Sequence, residues 1–153
     1  MLYYRYEGGN SMFSIPKHGW VEISIGNWSD RSSYLTNPHL DILDAFITLY
    51  GSYNPGAVYC DAEGWEYIIV INFNDVFIIE QKDEDRLITL DVRTRDLCEE
   101  VIKDIEEHLY QWSCWSYYID NEEERLKDEK IIKEKITKLR KVLSDYDNRH
   151  KRV

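Results

Sequence analysis

The segment NPGAVYCDAEGWEYIIVINFNDVFIIEQKDEDRLITLDVRT, residues 54–94, constrains the fold more than any other part of the chain. Its runs AVYC, WEYIIVINF, VFIIEQ and LITLDV are rich in β-branched and aromatic residues, which suit a pleated, half-buried surface. The intervening DAEG, NFND and KDED are turn sequences, and Gly64 falls where a hairpin needs a positive φ. A parallel connection needs a crossover of a dozen residues or more, and no such length lies between these runs. The segment is therefore expected to be an antiparallel meander. Its run Ile68–Ile71 is apolar on both faces, which predicts a central strand covered on both sides.

Upstream, LYYRYE (2–7), MFSI and WVEISIGNW (20–28) read as further strands, divided by GGN and PKHG. Val21, Ile23 and Ile25 alternate with Glu22, Ser24 and Gly26, the period of a half-buried strand. Asn37 and Pro38 then supply an N-cap and a first helical residue. Leu40, Leu43, Phe46, Ile47 and Tyr50 share one face, and Gly51 is expected to end this helix, 38–50, in a left-handed cap.

Asp96 and Glu99 form a D-x-x-E capping pair for a second helix, 96–119. Leu97, Val101, Ile105, Trp112, Trp115 and Ile119 fall within about 60° of one line on it, with His108 on the same stripe. Glu99, Glu100, Glu106 and Glu107 occupy the opposite side, compensated only by Lys103. The aromatic stretch WSCWSYY (112–118) continues both faces. Its tryptophans extend the core stripe, while Tyr110, Cys114 and Tyr117 make a second apolar face. Asn121 and Glu124 repeat the capping pattern for a third helix, about 121–148, with a seam of Ile132, Ile136, Leu139, Leu143 and Tyr146. This seam must cover something, whether the body, a second copy or a partner. The expected fold is α+β. An antiparallel sheet of about five or six strands is packed by two helices on one face, with a C-terminal amphipathic charged helix. The division falls near residue 120, into an acidic body (1–120) and a helix (121–153) that is folded back or appended.

Composition narrows the function more by exclusion than by assignment. The three cysteines, Cys60, Cys98 and Cys114, have no paired spacing and fit reduced thiols in a cytoplasmic protein. No run has signal-peptide or membrane-span character. His18, His39, His108 and His150 are scattered, so no metal site is expected, and no nucleotide or cofactor motif occurs. Cys60, Asp61, Glu63 and Glu66 lie close together, but a hairpin turn uses such residues for backbone reasons. No cysteine has a histidine placed to activate it, and enzymatic activity is not expected. A small hydrolase or ligand-binding enzyme is the third reading.

Charge is unevenly spread. Residues 1–120 hold 8 Lys/Arg against 21 Asp/Glu, a balance of −13, while residues 121–153 hold 11 against 8, a balance of +3. An acidic body repels nucleic acid and attracts basic surfaces. The expectation is a non-enzymatic inhibitor that occludes a basic nucleic-acid-processing enzyme. That is the general character of bacterial immunity proteins, antitoxins and phage-encoded anti-defence inhibitors. Candidate partner-binding residues are Glu99, Glu100, Glu106 and Glu107, the turn Asp83, Glu84 and Asp85, and Tyr110 and Tyr117. The alternative is a self-associating assembly protein, a homodimer using the seam Ile132, Ile136, Leu139 and Leu143.

Overall fold

The computed structural model describes residues 12–116 and 121–151. The expected strand at 2–7, together with Tyr117 and Ile119, lies outside them. Ten elements follow in order: β1 (Trp20–Ile25), β2 (Trp28–Ser33), α1 (Pro38–Ser52), β3 (Gly56–Asp61), β4 (Glu66–Ile71), β5 (Val76–Gln81), β6 (Asp85–Leu90), α2 (Thr94–Glu107), α3 (Leu109–Ser113) and α4 (Glu122–Arg149).

The architecture is α+β and its pairing is antiparallel, but the strands divide into two sheets rather than one. β1 and β2 form a hairpin of their own, and β3-β4-β5-β6 is a four-stranded meander. The hairpin connects to the larger sheet through side chains rather than a ladder. Trp28 donates its indole N–H to Glu80 Oε2 at 3.1 Å, Trp65 donates to Asp30 Oδ2 at 2.9 Å, and Tyr67 donates its hydroxyl to the Arg31 carbonyl at 3.0 Å. Asp30 and Glu80 are both buried, and Lys82 Nζ lies 3.2 Å from the first and 3.9 Å from the second. Buried carboxylates keep their solvation only through such partners.

α1 starts at Pro38 as expected, although the Asn37 side chain makes no cap hydrogen bond. Its left-handed C-cap is Tyr53 (φ 56°), not Gly51. Gly51 instead faces α4, where a Cβ would lie 3.4 Å from Val142 Cγ1. Gly56, at the start of β3, is still more confined, because a Cβ would lie 2.6 Å from the Ala45 carbonyl oxygen. Gly64 does take a positive φ, 141°, in the β3–β4 turn.

The expected helix 96–119 is two helices. α2 begins at Thr94, so Asp96 stands in its first turn rather than at its cap, and the backbone leaves the helical region at His108 (φ −120°, ψ 35°). The bend places Trp112 over the first turn of α1. Its ring stacks on His39 at 4.4 Å and meets Phe13 edge-on at 4.9 Å, and it is fully buried. Trp115 is buried beside it and donates its N–H to the Thr36 carbonyl at 2.9 Å. The tryptophans are core residues, then, but they close the α1 end of the core rather than the sheet.

α4 begins as expected, with Asn121 Oδ1 accepting from the Glu124 N–H at 3.3 Å. It lies along α1 and touches α3. Lys135 pairs with Asp44 at 2.7 Å and Val142 meets Gly51, so the two helices run in the same direction. Ile132, Ile136, Leu139 and Leu143 are buried to 4% exposure or less within this one chain. This corrects the expectation of a free self-association seam. The body already covers it, because α1 offers an apolar face of matching seven-residue step. At the far end Tyr50, Tyr53, Phe73, Tyr146 and His150 form a continuous ring cluster, with Tyr146 stacked on His150 at 4.1 Å and on Phe73 at 5.6 Å.

Candidate functional site

The register of the four-stranded sheet sorts its side chains into two faces. Cys60–Tyr67–Glu80–Arg86, Val58–Ile69–Ile78–Ile88 and Gly56–Ile71–Val76–Leu90 form rows on one face, and apart from Arg86 and the half-buried Ile88 these residues are buried. The other face carries the rows Tyr59–Ile68–Ile79–Leu87 and Ala57–Val70–Phe77–Thr89. Tyr59 is 44% and Leu87 70% exposed, and Ile68, Val70, Phe77 and Ile79 are only partly buried. Strand spacing of about 4.8 Å and a rise of about 3.3 Å per residue make this plate roughly 19 Å wide and 13 Å long. Its apolar side chains are contiguous across all four strands, which makes this face the candidate site.

One edge of the plate is acidic. The next row across the sheet is Asp61–Glu66–Gln81–Asp85, and the β5–β6 turn adds Asp83 and Glu84. The Tyr59 hydroxyl, two positions along the same face, donates to Glu66 Oε2. That bond raises the Tyr59 phenol to about 12, so the hydroxyl remains a donor throughout the neutral range. Asp61 Oδ1 accepts from the Glu63 N–H at 2.7 Å, the backbone use expected of a turn aspartate. Asp83, Glu84 and Asp85 are exposed, and among the described residues no ion pair holds any of the three. Arg86, their neighbour, turns to the other face and lies 3.9 Å from Glu80.

The acidic side of α2 is differently placed. Glu99 pairs with Arg95 at 3.1 Å, Glu107 lies 3.9 Å from Lys103, and Glu106 receives both guanidinium nitrogens of Arg140 on α4, one of them at 2.9 Å. Arg95 also forms a bidentate pair with Asp147 at 2.9 Å. Glu100 stands on the same helix and is half-buried. Glu106 thus ties α4 to the body directly and Glu99 through Arg95, while Glu107 pairs within α2. Tyr110 is 56% exposed beneath the Arg125 guanidinium, 4.7 Å from its ring centre, and borders a 330 Å³ cavity with Cys114, Trp115 and His18. Tyr117 lies outside the described residues.

The remaining chemistry is sparse. Burial pushes the Cys60 and Cys98 thiols up to about 12, far from a thiolate at neutral pH. Among the described residues no group of three or more His, Cys, Asp or Glu is arranged to hold a metal, and no helix is long and apolar enough to cross a membrane. The face with Ile68, Val70, Phe77, Ile79 and Leu87 went unread as a site because an apolar strand run implies cover on both sides. The signal was present nonetheless. The helices each carry one apolar stripe, too few to cover two faces of a four-stranded sheet.

Comparison with protein families, curated proteins and solved structures finds no match.

Proposed function

We propose that this protein is a non-enzymatic binding module that occludes a basic partner, and that the partner is a nucleic-acid-processing enzyme. The observation that carries this reading is the apolar outer face of the four-stranded sheet, bordered on one edge by Asp61, Glu66 and Asp85 and by the exposed Asp83 and Glu84. Apolar rings and branched side chains supply residence time at an interface, and an acidic rim accelerates encounter with a basic surface. An enzyme that binds nucleic acid presents a basic surface of this kind, and covering it excludes the substrate. Inhibitors of toxins and of defence nucleases act in this way.

The test is capture from lysates of the source cell and of its competitors or host. The wild-type protein is compared with an Ile79→Lys/Leu87→Lys variant whose folding is checked by circular dichroism. The captured species is then titrated for activity. The expected result is a basic nucleic-acid enzyme that the wild type retains and inhibits stoichiometrically, and that the variant neither retains nor inhibits. Capture unaffected by the variant, or a captured protein without nucleic-acid activity, overturns the reading.

A further inference from the structure

β6 is the terminal strand of the larger sheet, and no described strand pairs with its outer edge. Asp85, Arg86, Leu87 and Thr89 are exposed along it. Strands that end a sheet usually guard their unpaired backbone with proline, a bulge, lysines or a covering loop. β6 has no proline, its pairing with β5 is unbroken from Gln81↔Asp85 to Val76↔Leu90, and its single cation, Arg86, is drawn toward Glu80. The opposite edge strand, β3, has α1 and β2 beside it. This outer edge of β6 is continuous with the apolar plate through Leu87, and it begins at the acidic turn Asp83–Asp85.

We propose that β6 accepts an extended segment of the basic partner as a fifth strand, with a cationic side chain beside Asp85 and an apolar one beside Leu87. This rests on the binding-module reading above and specifies its geometry. Backbone hydrogen bonds to the edge supply affinity, and alternate side chains supply selectivity. Charge decides between a foreign strand and a second copy. Antiparallel self-pairing centred on Leu87 sets Asp83 against Asp91 of the second copy. Centring on Ile88 sets Asp85 against it instead. Like charges directly opposite each other are destabilising. A basic strand meets the same carboxylates with opposite charge.

The probe is the blocked eight-residue peptide Lys-Thr-Val-Thr-Lys-Thr-Val-Thr, whose lysines and valines alternate at every second position and so share the face that meets Asp85 and Leu87. One control has glutamate in place of lysine, and another has a fully N-methylated backbone that cannot pair. Amide hydrogen exchange of residues 85–90 is read by NMR in the full-length protein. Exchange at alternate β6 amides is expected to be fast in the free protein at every protein concentration and slowed about tenfold or more by the lysine–valine peptide. Neither control should slow it. Slow exchange in the free protein overturns the proposal, and dependence on protein concentration would identify a second copy as the occupant. Equal binding of the N-methylated peptide, or no binding of the lysine–valine peptide, also overturns it. Either leaves the binding-module reading intact if Ile79→Lys/Leu87→Lys still abolishes capture of the enzyme. If that variant leaves capture unchanged, the module reading itself fails.

Discussion

At the scale of single residues, His39 makes the clearest statement about the core. It is 2% exposed between Trp112 and Trp115, and burial lowers its pKa from 6.5 to about 3. The folded chain therefore holds a neutral imidazole where the unfolded chain takes up a proton below about pH 6.5. Stability from this source is complete above that pH and declines as pH falls toward 3, by at most about 1.4 kcal/mol per pH unit. Burial raises the carboxyl groups of Asp41 and Asp104 and acts in the opposite sense. The informative quantity is thus the difference between wild type and His39→Phe, which keeps a ring against Trp112. Urea unfolding at pH 7 and pH 4.5 should show the wild type losing about 2 kcal/mol more than the variant. Parallel pH profiles would mean that His39 is protonated in the fold.

At the scale of elements, two positions separate what helix α4 does from what its sequence suggests. Gly51 reads as a helix terminator, yet it lies within α1 with ordinary van der Waals room for a methyl group against Val142. Gly51→Ala is accordingly expected to stabilise the protein by about 0.5–1 kcal/mol, through helix propensity. A loss of stability would show that the residue is needed as a cap. Leu139 is fully buried in the seam, so Leu139→Ala should cost about 2–5 kcal/mol in thermal or urea unfolding without changing the mass of the particle in sedimentation. Dissociation of an oligomer by this change would restore the seam as an interface between copies.

The same elements show why some of the fold could be read from the sequence and some could not. Turn residues fixed the meander and Asn121 fixed the start of α4, because both signals are local. The split into two sheets was hidden because it depends on Trp28, Asp30, Trp65 and Glu80, residues as much as 52 apart. The bend at His108 follows from the stacking of Trp112 on His39, again a tertiary contact. The candidate site was hidden for a related reason. Whether Ile68 and Val70 face a core or open surface depends on which side the helices choose.

At the scale of the whole molecule, the charge asymmetry is largely used within the chain on one side and left open on the other. Arg140 on α4 meets Glu106, Lys135 meets Asp44, and Asp147 returns the exchange to Arg95. Such exposed pairs contribute up to about 1 kcal/mol each, and their charges cancel at a distance. Among the described residues no cation lies within ion-pair distance of Asp83, Glu84 or Asp85 at the sheet end, so on the proposed reading this is where an approaching basic surface is steered. Two triple variants test this division in stopped-flow association with the captured enzyme. Asp83→Lys/Glu84→Lys/Asp85→Lys should lower the association rate about tenfold or more and flatten its dependence on salt. Glu99→Gln/Glu106→Gln/Glu107→Gln should leave that rate within about twofold, while lowering stability by about 1–2 kcal/mol in total through its lost pairs with Arg95, Arg140 and Lys103. The opposite order would move the binding surface to α2 and make the apolar sheet face a bystander.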